Sequence, residues 1–453
     1  MAIDLSLGRI ARLLAKLGNP HRTKYHSVHV AGTNGKGSTL AYLSAILTAA
    51  RIRTGKFTSP HLIAYNDCVA INNETYPMQQ FEQVHQMVER ENTKWALGCT
   101  EFELLTATAY KIFELENVQL ALVEVGLGGT LDATNVLEPA TDEFPGGVVA
   151  CGITKIGIDH ESFLGSTLLE IALKKAGIIK PGVPVVVDGT NAPEVLAVVR
   201  EKALREKCLL VEAEAAKTPG LFEYLSLSKL VGSYQAQNLS VALNLVQILR
   251  KHSFAIPDGA VSEGVGATKW PGRLQTLVDP ETGLSVLLDG AHNESAAIEL
   301  GQYLTQIRAE NKNGSHASVP KDSSSVDSTS NTNGLIFVVA MTNGKAADKI
   351  FLHVTQRNTD TVYAATFTPP LNMPTVKCYT AEKLASIAQN YVTDVRIAPT
   401  TVREIFTQLQ ANRLAGDHRS IVICGSLYLC SDILRTLGDA ATHSSMGSTT
   451  TGH

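Results

Sequence analysis

Lys36 stands in the run GTNGKGS, residues 32–38, among three glycines and two hydroxyl side chains. A β-rich run, Tyr25 to Val30, enters it, and an apolar-periodic segment leaves it. Strand, glycine loop and helix start in this order make an anion site. The first N–H groups of a helix lack intrahelical partners, and the helix dipole adds partial positive charge there. Gly32, Gly35 and Gly37 let the backbone curl around a phosphate, with Thr33 and Asn34 between them. Lys36 would supply a full charge, and Ser38 or Thr39 a hydroxyl for a phosphate-bound Mg²⁺. The run departs from G-x-x-x-x-G-K-[ST], because Gly37 follows Lys36 and Ser38 comes one place late. A glycine-rich turn with an incidental lysine is the alternative.

More polar residues fall at the ends of apolar runs. Ile52 to Thr58 reads as a strand that ends in Thr58-Ser59-Pro60-His61. Val118 to Val125 is almost wholly apolar, as expected of a strand buried on both faces of a parallel sheet. Its one charge, Glu124, is costly there unless paired or metal-bound. Val148 to Thr154 is a third buried strand, and it runs on to Lys155, Asp159 and His160. Ligands in open α/β sheets sit at strand C-termini. Carboxylate, hydroxyl and imidazole from Glu124, Ser59 and His160 could hold a Mg²⁺, though His is an unusual ligand for so hard an ion. The glycines after Glu124 do not fit G-x-G-x-x-G, since Leu131 holds the third position, so a dinucleotide site is a weak reading. A second polar focus, Asp289-Gly290-Ala291-His292-Asn293, again ends a strand and opens a helix.

The elements that must position these groups alternate. Thr100 with Glu103, and Thr167 with Glu170, are capping boxes that start helices. The second of these helices carries Lys174 and Lys175. Gly232 to His252 is a long helix with Gln235 and Asn238 in its first turns. The pattern breaks at Trp270-Pro271-Gly272-Arg273. The expected division is a phosphate-loop domain over 1–276, a smaller α/β domain over 277–438, and a mobile tail over 439–453. A Ser/Asn-rich stretch at 311–334 reads as a disordered insertion. Residues 3–17 are amphipathic and read as a packed first helix, with a mitochondrial presequence as the alternative.

The chain has 453 residues, 44% hydrophobic and 18% charged, with a formal net charge of −4. That length suits two domains. The charge gives no basic excess for general nucleic-acid binding, and no apolar run is long enough for a transmembrane helix. The seven cysteines are scattered and form no CxxC pair, as expected of reduced thiols in an intracellular protein.

Seven motifs taken together carry a resemblance. GTNGKGS (32–38), TSPH (58–61), EVGLGG-LDATN (124–135), ITKIG-DHESFLGST (153–167), KAGIIK (175–180), WPGR (270–273) and DGAHN (289–293) resemble the folylpolyglutamate synthase/dihydrofolate synthase family of the Mur ligase superfamily. The match is in order through nearly the whole chain. Residues 1–20, 99–109 and 423–430 are most similar to fungal dihydrofolate synthases. The resemblance implies a Mur-ligase-like central domain with a mostly parallel sheet, followed by a smaller Rossmann-like α/β domain. It implies that ATP phosphorylates a pteroate carboxylate and that the α-amine of L-glutamate attacks the acyl phosphate. The resemblance to the fungal enzymes points to dihydropteroate as the acceptor, with a folate already bearing glutamate as the rival. A cell-wall Mur ligase and a regulatory P-loop NTPase are more remote.

By position in the motifs, Ser59, Glu124 and His160 match Mg²⁺ ligands, with two ions expected. Ser38 lies near the phosphates. Lys175 matches a lysine that is carbamylated in relatives. Asn238, Arg273 and Asp289 match nucleotide contacts, and Lys36, Lys175 and His292 are the catalytic candidates. The pterin would lie near loop 58–68, by Thr58, Pro60 and His61, and glutamate would enter between the domains. Two departures stand out: Thr130 where many relatives have Arg, and Lys174 where they have Glu. A cytoplasmic monomer without nucleic-acid or membrane partners is expected.

Overall fold

A computed structural model describes residues 6–312, 334–370 and 376–446. Its two compact units are Met1–Trp270 and Pro271–His453. The division falls inside the Trp-Pro-Gly-Arg break. The sequence reading had carried the first domain on to 276, but the strand Gln275–Val278 pairs into the second sheet.

The first unit is built on an eight-stranded sheet. Its strands are β1 His26–Ala31, β2 Thr54–Phe57, β3 Val69–Ile71, β4 Glu74–Thr75, β5 Leu120–Glu124, β6 Gly147–Ile153, β7 Val185–Asp188 and β8 Leu210–Ala213. They lie in the order β4-β3-β2-β5-β1-β6-β7-β8. All pairs are parallel except β2–β3 and β3–β4. From β1 the chain builds outward on both sides, which makes β1 the topological switch point, and the crevice beyond its C-terminal end is where such sheets bind ligands. The glycine loop begins there. The β3–β4 hairpin has no counterpart in the sequence reading, and a helix follows it. That helix is Met78–Lys94.

The two faces of β1 feed two cores. Val28 and Val30 pack with Leu40, Leu43 and Leu47 of the helix Lys36–Ala49 and with Leu239, Leu245 and Val246 of the helix Tyr234–Lys251. Ala31 faces the other core, with Tyr25, Tyr110, Phe113 and Ile153. The helix Gly8–Lys16 buries Ile10, Leu13 and Leu14 there, so residues 8–16 are a packed element, as the amphipathic pattern predicts.

The helix that follows the glycine loop has no polar face. Every residue from Ser38 to Leu47 is buried. It lies between the sheet and the helices Tyr234–Lys251 and Asp258–Ala267. Contact with the last of these is close enough to require glycine: a Cβ on Gly264 would stand 2.4 Å from the Ile46 Cα.

The second unit holds a six-stranded sheet. Its strands are β9 Gln275–Val278, β10 Ser285–Leu288, β11 Ile336–Val339, β12 Thr361–Ala364, β13 Asp394–Ile397 and β14 Ile421–Cys424. The order is β13-β12-β11-β14-β10-β9, parallel except for the β9–β10 edge. Arg308 and Asp360, both buried, form a two-pronged ion pair at 2.8 and 2.6 Å. The last helix, Leu427–Met446, runs past Gly438, where the sequence reading began a mobile tail. Residues 447–453 and nearly all of the 311–334 insertion lie outside the described residues. Among the described residues no helix is long and apolar enough to cross a membrane.

Gly264→Ala should drive the helix Asp258–Ala267 off the Ile46 backbone and destabilise the first unit by about 1–3 kcal/mol. A lowered urea midpoint with an unchanged slope would show it; an unaltered midpoint would reject the close-packing argument.

Candidate active site at the glycine loop

The glycine loop is shaped by the end of β6. The amides of Thr33 and Asn34 both donate to the Lys155 carbonyl, at 2.8 and 3.1 Å. The Thr33 hydroxyl donates to the Gly157 carbonyl (3.0 Å) and accepts the Gly157 amide (3.1 Å). Thr154 Oγ1 lies 2.8 Å from the Asn34 carbonyl and 3.3 Å from that of Ala31. These bonds use the amides of 33–34, while those of the first helical turn, from Lys36 on, have no intrahelical partner, the setting in which helix starts bind anions. Gly35 has φ +89°, which suits glycine. A Cβ there would also lie 2.3 Å from Asn238 Oδ1. Gly37 is covered by the Trp270 ring, 2.3 Å from where its Cβ would be.

Three of the predicted groups converge on this loop. Lys36 Nζ donates to the Thr33 carbonyl (3.1 Å) and stands 3.7 Å from Glu124 Oε1. Glu124 is buried, and its register beside Val30 sets it at the mouth of the loop. Lys175 Nζ donates to the Gly32 carbonyl at 2.7 Å. Burial first, and then the charge of Lys36, bring the Lys175 pKa down to about 7, against the upward pull of Asp159, Asp132 and Glu124. Both sequence departures can be placed. The Thr130 amide and hydroxyl bind the Lys174 carbonyl, at 2.9 and 3.0 Å, and so fix the backbone just before Lys175. Lys174 itself is exposed.

A buried chain of polar groups holds the segment after Glu124. The Asp132 carboxylate accepts the Leu127 amide (2.7 Å), the Thr134 amide (3.0 Å) and the Thr134 hydroxyl. Because that hydroxyl proton goes to Asp132, His29 Nε2 must donate in its 2.8 Å contact with Thr134 Oγ1. His29 stays neutral, since burial pulls its pKa to about 3. Burial pushes the Asp132 carboxyl up, against these hydrogen bonds.

His160 has φ +53° at the start of a short helix, with its side chain 46% exposed and 3.9 Å from Asp159. Among the described residues, no three His, Cys, Asp or Glu side chains gather into a metal cage. Thr58 is buried, and Ser59, joined to Pro60 by a cis peptide bond, is partly exposed. In the second unit, Asp289 accepts the Leu274 and Ala291 amides, each at 2.8 Å. Burial raises its carboxyl pKa, against the pull of Arg273. Arg273 donates to the Gly272 carbonyl (2.9 Å), and His292 Nδ1 donates to that of Gly290 (2.9 Å). Thr154, Asp132 and Trp270 do structural work at the site that no spacing in the sequence announces.

Lys36→Met should raise the Lys175 pKa and Glu124→Gln should lower it. The ε-carbon shift of Lys175 in a pH titration by NMR reads both, and no movement in either variant would reject the coupling.

A family model described as dihydrofolate synthetase, C-terminal domain, matches residues 274–436. The dihydrofolate synthetase of Saccharomyces cerevisiae is 38% identical over 453 residues, spanning 96% of this chain and 98% of the yeast chain. A probable dihydrofolate synthetase of Schizosaccharomyces pombe is 36% identical over 449 residues, spanning 96% and 99%. Among solved structures, folylpolyglutamate synthase of Mycobacterium tuberculosis, complexed with ADP and AMPPCP, matches with a TM-score of 0.75 at 26% identity and covers 96% of this chain and 95% of that one. A glycine loop at the switch point of a mostly parallel sheet, a second α/β unit and full-length similarity agree: the chain belongs to the dihydrofolate synthase/folylpolyglutamate synthase family of ATP-dependent ligases.

Proposed function

We propose that the protein joins L-glutamate to 7,8-dihydropteroate at the expense of ATP, giving dihydrofolate, ADP and phosphate. The observation that carries the reading is the convergence of Lys36, Glu124 and Lys175 on one glycine loop. The full-length similarity to fungal dihydrofolate synthetases supports dihydropteroate as the acceptor over a folate that already carries glutamate.

A carboxylate is a poor acyl donor because its oxygen leaves poorly, and phosphorylation supplies a better leaving group. In this reading a carboxylate oxygen of dihydropteroate attacks the γ-phosphorus and ADP departs. The glutamate α-amine then attacks the acyl carbon, loses a proton, and phosphate leaves. The amides of Gly35, Lys36, Gly37 and Ser38 and the Lys36 ammonium face charge that develops on the transferring group. Lys36 is held by Thr33 on one side and Glu124 on the other, so little reorganisation is needed when the phosphates arrive.

Mg²⁺ favours one or two carboxylates plus phosphate and water over an all-protein cage. Buried Glu124 beside the loop fits that habit, with Ser59 and His160 as the further ligands assigned by motif. The ion, when bound, would neutralise charge on the phosphoryl oxygens. The lowered pKa of Lys175 keeps its amine largely neutral near pH 8, the form that takes up carbon dioxide to give a carbamate. Roles for Asn238, Arg273, Asp289 and His292 rest on motif resemblance; the proximity of Asn238 to Gly35 supports the first.

Lys36→Ala should cut ATP-dependent turnover by about 100-fold or more with the fold intact by circular dichroism. Near-normal turnover would remove the lysine from the mechanism. Glu124→Ala should raise the Mg²⁺ concentration for half-maximal activity by at least about 10-fold, and an unchanged Mg²⁺ curve would reject it as a ligand. Turnover with tetrahydrofolate but none with dihydropteroate would shift the assignment to folylpolyglutamate synthesis.

A further inference from the structure

The segment between β2 and β3 carries Thr58, Ser59, Pro60 and His61, the residues assigned to the acceptor and to Mg²⁺. Its base is closed by the Thr58 amide, which donates to the Cys68 carbonyl at 2.9 Å. Its interior is organised by one carboxylate. The Leu62 amide lies 3.0 Å from Asp67 Oδ1 and 3.2 Å from Oδ2. The Ile63 amide donates to Oδ2 at 2.6 Å and the Ala64 amide at 3.1 Å. The Asp67 amide returns a bond to the Ala64 carbonyl at 2.9 Å. Three successive backbone N–H groups thus converge on one carboxylate, a backbone nest filled from within the chain. Bonds to an ionised acceptor are the strong kind.

The pinned backbone is anchored a second time through Tyr65. Its hydroxyl donates to Glu101 Oε1 at 2.6 Å, at the start of the capped helix Glu101–Leu115. The Tyr65 ring meets His61 edge-on, with centroids 5.7 Å apart and planes at 88°. His61 therefore stands on a ring whose two neighbours, Phe81 and His85, are themselves stacked. The carboxylate that fixes this arrangement accepts all three amides, most of them through Oδ2.

We infer that Asp67 is a positioning residue for the acceptor: its carboxylate holds loop 58–68 in the shape that presents the His61 ring to the pteroate. The inference rests on the assignment of that loop under the proposed function. Asparagine would replace one acceptor oxygen with an NH₂ group that faces backbone donors. The loop then loses its register while the sheet and the phosphate loop keep theirs.

Asp67→Asn should raise KM for dihydropteroate by about 10- to 100-fold, as a misplacement near an ångström does, with KM for ATP within about twofold of wild type and unchanged circular dichroism. Wild-type KM for dihydropteroate, or a fall in kcat alone, overturns the inference. His61→Ala separates the two levels. If it raises that KM while Asp67→Asn does not, the loop assignment stands and the inference fails. If His61→Ala leaves the KM untouched, the assignment fails and takes the inference with it. Should Asp67→Asn not fold, Asp67→Glu, which keeps the charge but displaces it by a methylene, is read instead: a raised KM supports the inference and a wild-type KM overturns it.

Discussion

The site depends on two backbone amides sharing one carbonyl. Thr33 and Asn34 both donate to Lys155, and through that pair the glycine loop is tied to the strand next to β1. Without the tie, a loop of three glycines in seven residues would sample many shapes, since glycine restricts the chain least. With it, the loop takes one shape. The amides of 33–34 turn toward the end of β6, and those of the following helical turn have no intrahelical partner. Lys36, Glu124 and Lys175 are then placed by elements that meet at this junction: the loop helix, β5 and the helix Leu168–Lys175.

Electrostatics at the junction follow from burial. Two lysines and several carboxylates share a small volume, and each modifies its neighbours. Lys175 is shifted mainly because it is buried, and next because Lys36 is close. The chain His29–Thr134–Asp132 shows the other way to bury polar groups, by satisfying them with one another. His29 gives up its charge, and Asp132 keeps its hydrogen bonds instead of a counter-ion.

Much of this was legible in the sequence, for local reasons. The glycine loop, the apolar run that ends in Glu124, and the boxes Thr100–Glu103 and Thr167–Glu170 are short-range patterns, and each appears where expected. The β3–β4 hairpin was legible but missed. Its turn is Asn72-Asn73, with φ of +48° and +67°, the conformation that two-residue hairpin turns need and that asparagine tolerates. The tail was misjudged from its polarity, although Asp439-Ala440-Ala441 simply continues the helix begun at Leu427. Thr154, the His29 chain, Trp270 over Gly37 and the nest around Asp67 were not legible. The first three depend on residues distant in sequence, and the last on side-chain direction, which spacing does not encode.

The helix behind the glycine loop, buried on every side, has a thermodynamic consequence. From Ser38 to Leu47 it has no solvent face, so it cannot loosen there without disturbing the core around it. Loop and core then open as one cooperative block. A ligand that binds only the closed loop stabilises the whole block by mass action, by about 2.7 kcal/mol at a hundredfold excess over its Kd. Nucleotide supply would thus set how long the first unit stays folded as well as how fast it works.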